Sequence, residues 1–323
     1  MKLLPGIMQK YCSGMKGKPR ISAIIITYNQ EDVIARTLES LLNQECLYEI
    51  CVSDDCSSDS TWRILQEYAE RFPGLFKLHR NDPNLGIFAN EEQTWTMPSG
   101  DLVYRIAGDD ECCPGYFKAV ADYILDKGLD YENDCFAIVG DCKTIYPDGQ
   151  NRLTRNDMLE KGINPLKLKL RELLNDRAAC FSRSLLDRYI PVSRGRSYAV
   201  EAAQDFQLEM FCPMFYRIPV CGNIYYAELG VSSHLDAEEK KERAEVYEFL
   251  SSFLNGHGIK MDRADRYYLR FRTEYLKFGA TRSVRSLLNA FGSFLLSIDL
   301  TLGMDGLELS RLFNALKRKL SRR

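Results

Sequence analysis

Residues 105–115 read RIAGDDECCPG, so Asp109, Asp110 and Glu111 follow an apolar run and lead straight into Cys112 and Cys113. Those residue types suit three chemistries: a divalent-cation seat built from carboxylates, a thiolate metal or redox site, or a polar loop closing a strand. Adjacent cysteines are badly placed to chelate one ion together, and no partner cysteines stand at metal-ligand spacing. Cys112 and Cys113 therefore read as small, half-buried loop residues. Three more polar clusters precede this one: TYNQE at 27–31, SDDCSSD at 53–59 and HRNDPN at 79–84.

The elements between the clusters must aim them. ISAIII at 21–26 is β-branched and short, and after TYNQE the residues Ile34, Leu38, Leu41 and Leu42 recur at helical spacing. That is strand, loop, helix. YEICVSDD repeats the scheme, with the Ser-Ser-Asp after it capping a helix whose stripe is Trp62, Leu65, Ala69 and Phe72 and which FPG ends. LFKLHR is a third strand, NLGIFANEEQTW a loop entering a helix, and DLVYRIAG the fourth strand, delivering the Asp109 cluster. Alternating units of this length predict an α/β fold: a mostly parallel sheet with helices on both faces. In such sheets ligands bind beyond the carboxyl ends of the strands, where all four clusters sit.

Farther along, FAIVGDCKTIYPDG reads as a strand and turn, and residues 151–176 as charged helix or loop. Phe206, Met210 and Phe211 share a helical face, IPVCGNIYYAE reads as a strand or hairpin, and from about residue 238 the pattern is helical. No G-x-G-x-x-G follows the first strand and no G-x-x-x-x-G-K-[ST] occurs, so neither a dinucleotide fold nor a P-loop is supported. If phosphates bind here, a divalent cation on carboxylates is the natural substitute for a glycine cradle.

Composition narrows the classes. The 323 residues are 45% apolar and 27% charged, ordinary for a globular chain with a large core. Eleven cysteines without repeated C-x-x-C spacing, and no apolar leader with a cleavage site, point to reduced thiols and a cytoplasmic location. Net charge is −2, but residues 281–323 carry eight Lys/Arg against three acids, a net of +5 that leaves −7 on the rest. An acidic body argues against nucleic-acid binding.

Taken together, the clusters resemble the family 2 inverting glycosyltransferases of GT-A fold. The resemblance rests on Thr27-Tyr28-Asn29, EICVSDDCSSDST at 49–61, NLGIFAN at 84–90, Gly100-Asp101, GDDECCPG and Gln204-Asp205, in that order over roughly residues 20–230. It implies a GT-A domain over 1–235, with a nucleotide-sugar half at about 20–115 and an acceptor half at 116–235, followed by a helical extension over 236–323. It implies Asp109 and Asp110 as the seat of Mn2+ or Mg2+, a cation that would stabilise the departing diphosphate. It places Asp55 at the nucleotide base, with Thr27, Tyr28, Glu31 and Asn84 lining the same pocket. Asp205 is the expected base, accepting the proton of the attacking hydroxyl, with Glu201 as its rival. His234 is expected near the diphosphate or metal, and Arg80 with Arg177 or Arg183 near phosphates or acceptor. The donor implied is a nucleotide sugar, a UDP-sugar first, and the acceptor a glycan or lipid-linked hydroxyl in surface polysaccharide synthesis. One departure stands out: Ala107 occupies a position where many relatives carry an acid.

At the C-terminus Leu309, Leu312, Phe313, Leu316 and Leu320 share a face amid Arg311, Lys317, Arg318, Lys319, Arg322 and Arg323. Such a basic amphipathic tail suits peripheral contact with the inner face of the plasma membrane, or packing on its own domain or a partner copy, which leaves oligomerisation open. Residues 287–304 are apolar but include Asn289, Asp299 and two glycines, which favours interfacial attachment over crossing. Two other functions share this sheet logic: a sugar nucleotidyltransferase, which usually needs a glycine-rich phosphate loop, and a degenerate non-catalytic binding protein.

Overall fold

A computed structural model of the chain describes residues 17–188, 206–212, 214–227 and 237–298. Four parallel strands open it: β1 (Ile21–Thr27), β2 (Leu47–Asp54), β3 (Phe76–Arg80) and β4 (Leu102–Ala107), in the order β3-β2-β1-β4. They are joined by α1 (Ile34–Leu42), α2 (Thr61–Arg71) and α3 (Ile87–Trp95). As the centre of this half, β1 is buried almost throughout, which is why it reads as unbroken β-branched sequence rather than as alternation. The strand–loop–helix units expected from the sequence are all present.

The sheet then changes character. Two-residue β5 (Glu111–Cys112) precedes α4 (Tyr116–Lys127), β6 (Phe136–Ile145), β7 (Asn151–Thr154), α5 (Pro165–Leu170), β8 (Ala179–Ser182) and β9 (Met214–Tyr226). The order continues β4-β8-β6-β9-β5, with β7 on β6; only β6 and β9 run parallel in this half, and the other pairings are antiparallel. The stretch expected as a strand or hairpin is one 13-residue strand, β9, whose register shifts opposite Asp141. Residues 151–176, expected as helix or loop, supply β7, a 3-10 turn at Asp157–Lys161 and α5.

β9 is held at its middle by an aromatic wedge. A Cβ on Gly222 would lie 2.6 Å from the Tyr116 ring and one on Gly140 2.7 Å from it, so glycine at both places lets Tyr116 press between β6 and β9. The Tyr104 hydroxyl donates to Gly222 O at 3.0 Å, and Tyr116 donates to Ala178 O. Below the sheet a second cluster joins Ile24, Val103, Ala137, Phe181 and Leu208.

Three helices follow: α6 (Ala237–Gly256), α7 (Arg263–Thr281) and α8 (Val284–Leu296). They reach the body through Leu166, Leu170 and Phe206, which pack on Leu250, Leu254 and Leu269. A fully buried Arg171 reinforces that joint: its Nη2 lies 3.1 Å from Asp265, its Nη1 donates to Ser297 O at 2.8 Å, and it stacks on Tyr268. No described helix is long and apolar enough to cross a membrane.

Candidate active site

The four strand-end clusters meet on one rim, and the TYNQE loop is their hub. Thr27, 3% exposed, donates to Gln30 Oε1 at 2.7 Å, and the same oxygen would stand 2.2 Å from a Cβ on Gly108. Glycine at 108 therefore lets the acidic loop lie directly against the first strand's loop. Asn29, at φ 50°, donates its backbone N–H to Ser57 Oγ at 2.9 Å and accepts from Ser58 N at 2.8 Å. Glu31 is tied to the 59–61 turn in both directions: its carboxylate accepts from Ser60 N at 2.8 Å, and Asp59 accepts from Glu31 N at 3.1 Å and Thr61 N at 2.9 Å. Exposed Glu31 thus braces the entry to α2, and Tyr28 stands 48% exposed at the rim.

Asp55 lies at the end of β2, 3% exposed. Its carboxylate accepts from Asn81 Nδ2 at 2.9 Å, Leu85 N at 2.8 Å and Gly86 N at 2.8 Å, while its carbonyl accepts from Asn84 Nδ2 at 2.7 Å. Asp55 and Asn84 are therefore brought together, and the carboxylate shapes the 81–86 loop that forms one wall of the rim. Arg80 is spent on the same wall, 3.3 Å from buried Asp54 and donating to Ser57 O at 2.7 Å. Arg183 lies at the other end of β4, where its backbone N–H donates to Asp101 O at 2.9 Å. It does not join the rim, and of the expected arginines only Arg177 sits close enough to pull on Asp109 and Asp110.

The acidic loop itself is tethered from three sides. Thr37 Oγ1 lies 2.9 Å from Gly108 O and 2.7 Å from Asp110 O, sharing its proton between them. Arg36 donates to Asp109 O at 2.5 Å and lies 3.8 Å over the Tyr226 ring. Its Nε is 3.3 Å from Glu111 but misaligned for a hydrogen bond, so that contact is Coulombic. From β9, Tyr226 N donates to Asp110 Oδ1 at 3.3 Å and the Tyr226 hydroxyl donates to Glu111. Sequence reasoning missed Arg36, Thr37 and Tyr226. The only signal was an arginine on the face of α1 opposite its apolar stripe and a threonine lying within the buried face itself.

Burial and then the neighbouring Asp109 push the Asp110 carboxyl up to about 7. Burial also raises Asp109, against the pull of Arg36 and Arg177. Two adjacent, poorly solvated carboxylates with little to neutralise them are what a divalent cation relieves. No group of three or more His, Cys, Asp or Glu side chains among the described residues could hold an ion without help. The donor set still fits Mg2+ or Mn2+, which take one or two carboxylates and complete their shell from phosphate oxygens and water. Ala107 is exposed at the strand end and adds no ligand. Cys112 and Cys113 are more buried than expected, at 2% and 7% exposure, and Cys113 Sγ lies 2.9 Å from Cys221 Sγ.

Asp205, Gln204, Glu201 and His234 lie outside the described residues, as does the tail from 299. The described helical residues from Phe206 onward are anchored. Leu208 and Cys212 are buried in the second cluster, and Lys169 stands 3.8 Å from Glu209 and 2.6 Å from Asp176.

A four-stranded parallel half with acids at its strand ends, continued by a mixed half that folds back to touch the acidic loop, defines the GT-A class of fold. The chain belongs to glycosyl transferase family 2, whose model matches residues 22–190, more than half of it. It is similar to the poly(ribitol-phosphate) beta-glucosyltransferase of Bacillus spizizenii, at 22% identity over 295 residues, covering 84% of this chain and 45% of that protein. In structure it resembles S. aureus TarS, with a TM-score of 0.59 at 16% identity, covering 88% of this chain and 82% of the TarS 1–349 chain. It also resembles the mannosyltransferase PcManGT from Pyrobaculum calidifontis solved with GDP-Man and Mn2+, with a TM-score of 0.51 at 15% identity, covering 95% and 88% of the two chains. The chain spans 27% to 46% of the length of the curated relatives it matches.

Proposed function

We propose that this glycosyltransferase moves a sugar from a nucleoside-diphosphate donor, a UDP-sugar first, to a hydroxyl of a glycan or lipid-linked acceptor, with inversion at the anomeric carbon. The observation that carries the proposal is the pair of half-buried Asp109 and buried Asp110, poorly compensated, set where the strand-end loops converge and tied across the sheet to Tyr226. TarS has been solved with UDP-GlcNAc, and PcManGT with GDP-Man and Mn2+, which supports a nucleotide-sugar donor and a divalent ion. The name of the Bacillus spizizenii relative, a poly(ribitol-phosphate) beta-glucosyltransferase, supports a polymer acceptor.

Each residue has an assigned task. Asp109 and Asp110 hold the cation, which when bound neutralises charge growing on the leaving diphosphate. Arg36, Thr37 and Tyr226 fix the loop so that those carboxylates need no reorganisation during reaction. Arg177 stands exposed beside the pair, stacked 4.1 Å over Tyr225, and meets the diphosphate oxygens. Asp55 shapes the 81–86 wall, and Thr27, Tyr28, Glu31 and Asn84 complete the nucleotide side. Asp205 takes the acceptor hydroxyl's proton on the face opposite the departing diphosphate, and that in-line geometry is the reason for inversion.

The test is Asp205→Asn, assayed with UDP-sugars and a polysaccharide or lipid-linked acceptor. Turnover should fall by at least about a hundredfold, the usual worth of a positioned general base, with UDP affinity unchanged. Full turnover in the variant would remove Asp205 from the mechanism. A nucleotidyltransferase would instead release pyrophosphate from a nucleoside triphosphate and a sugar 1-phosphate, which a parallel assay supplied with those two substrates detects.

A further inference from the structure

The outer face of α8 is apolar where a soluble helix would be polar. Val284, Leu287, Leu288, Phe291 and Leu295 fall on one side of the helix, Ile298 follows just past its end, and all six are 40% to 68% exposed. Its inward side is the polar one: Ser293 and Ser297 are buried at 5% and 0%, and Asn289 donates to Glu274 of α7. Only Ala290 and Phe294 pack inward, Phe294 with its ring 5.2 Å from Phe271. Six such side chains make an exposed apolar patch on the order of 500 Å2, at the upper end of what soluble monomers leave uncovered.

Positive charge frames this stripe at both ends. Exposed Arg282 and Arg285 stand at its start. Helix α7 runs antiparallel to α8, as Phe271–Phe294 and Glu274–Asn289 show, so the first turns of α7 lie beside the last turns of α8. Those first turns carry exposed Arg263, Arg266 and Arg270, which with Tyr267 line a cleft. None of the five arginines forms an ion pair among the described residues.

We propose that the α7–α8 hairpin is a membrane-docking surface for anionic phospholipid, with the α8 stripe entering the acyl boundary and the α7 arginine cleft receiving headgroup phosphate. Apolar stripe and basic rim together are what an interfacial helix presents. A two-fold contact between copies would set arginine rims of like sign against each other, which disfavours a second copy as the occupant. This surface is separate from the acidic rim and does not depend on the sugar-transfer reading.

Cosedimentation of the full chain with phosphatidylcholine vesicles, with and without phosphatidylglycerol, tests it. Binding should require phosphatidylglycerol and weaken with salt. Leu288→Glu/Phe291→Glu should abolish it, and Arg263→Gln/Arg266→Gln/Arg270→Gln should weaken it roughly a hundredfold, at about fivefold per charge near an anionic surface. Because all five positions are exposed, unchanged circular dichroism and UDP binding verify the fold. Wild-type levels of binding in both variants would overturn the proposal. So would loss of binding only in Leu312→Glu/Phe313→Glu, which would place the contact on the tail. A dimer in light scattering that Leu288→Glu converts to monomer, with no vesicle binding, would make a second copy the occupant and equally overturn it.

Discussion

Replacing Arg36 by methionine should uncouple the acidic loop from the scaffold while keeping the aliphatic packing of the side chain. Three interactions would go: the bond to Asp109 O at 2.5 Å, the Coulombic contact with Glu111 at 3.3 Å and the stacking 3.8 Å over Tyr226. A charged donor on a carbonyl contributes about 1.5–3 kcal/mol. The stacking adds about 0.5–1 kcal/mol, and a one-third-exposed ion pair close to nothing. These terms overlap, so the loop should lose about 2–3 kcal/mol of its preference for the ordered arrangement. At about 1.4 kcal/mol per tenfold, the apparent Kd for UDP in the presence of Mn2+ should rise by roughly thirtyfold to a hundredfold or a little more. Urea denaturation should show a global loss of no more than about 3 kcal/mol. Calorimetric UDP affinity within about twofold of wild type would refute the view that Arg36 holds the site together.

Other perturbations separate site from scaffold. Arg171→Met leaves Asp265 buried with only Lys167, 3.6 Å away, and should cost about 3 kcal/mol or more in urea unfolding; a loss under about 1 kcal/mol would contradict the assigned joint. Gly222→Ala forces a Cβ to 2.6 Å from the Tyr116 ring, so about 1–3 kcal/mol should be lost with weaker UDP binding, and an unaffected variant would argue against the wedge. Burial opposes ionisation of Asp176, but Lys169 and Arg105 outweigh it and hold the carboxyl at about 2, below its ordinary 3.8. A depressed folded-state value stabilises above pH 3.8 and is lost as pH falls toward 2, so the stability gap between wild type and Asp176→Asn should shrink by about 2 kcal/mol over that window. A gap that does not change with pH would show that the three charges are not coupled.

The four-stranded parallel half was legible because each of its strands, loops and helices is local: a β-branched run, a polar cluster, a 3.6-residue stripe. The mixed half was not, because its order depends on pairings far apart in sequence. Nothing near residue 111 says that β5 will pair with residues 223–224, or that Asp110 will accept from Tyr226, 116 residues away. The acids stand out by type and position, while Arg36 looks like the solvent side of an amphipathic helix and Thr37 like a small filler of its buried face. Asp55 shows the converse: it stands at the strand end where the sequence puts it, yet its carboxylate is occupied by the backbone of Leu85 and Gly86, a bond set by the turn at 82–86 rather than by any residue type. Arg80 and Arg183 were candidates by charge alone, and the structure spends both on scaffold contacts.

The central claim is that Asp109 and Asp110 seat a cation that binds the diphosphate of a nucleotide sugar. Titration calorimetry of the full chain against UDP, GDP, CDP and ADP, with and without Mn2+, tests it most directly, repeated on Asp109→Asn and Asp110→Asn. At least one nucleoside diphosphate, UDP first, should bind more tightly with Mn2+, and both variants should lose that gain by at least about tenfold. No metal-assisted binding of any of the four, or variants that keep it in full, would contradict the account.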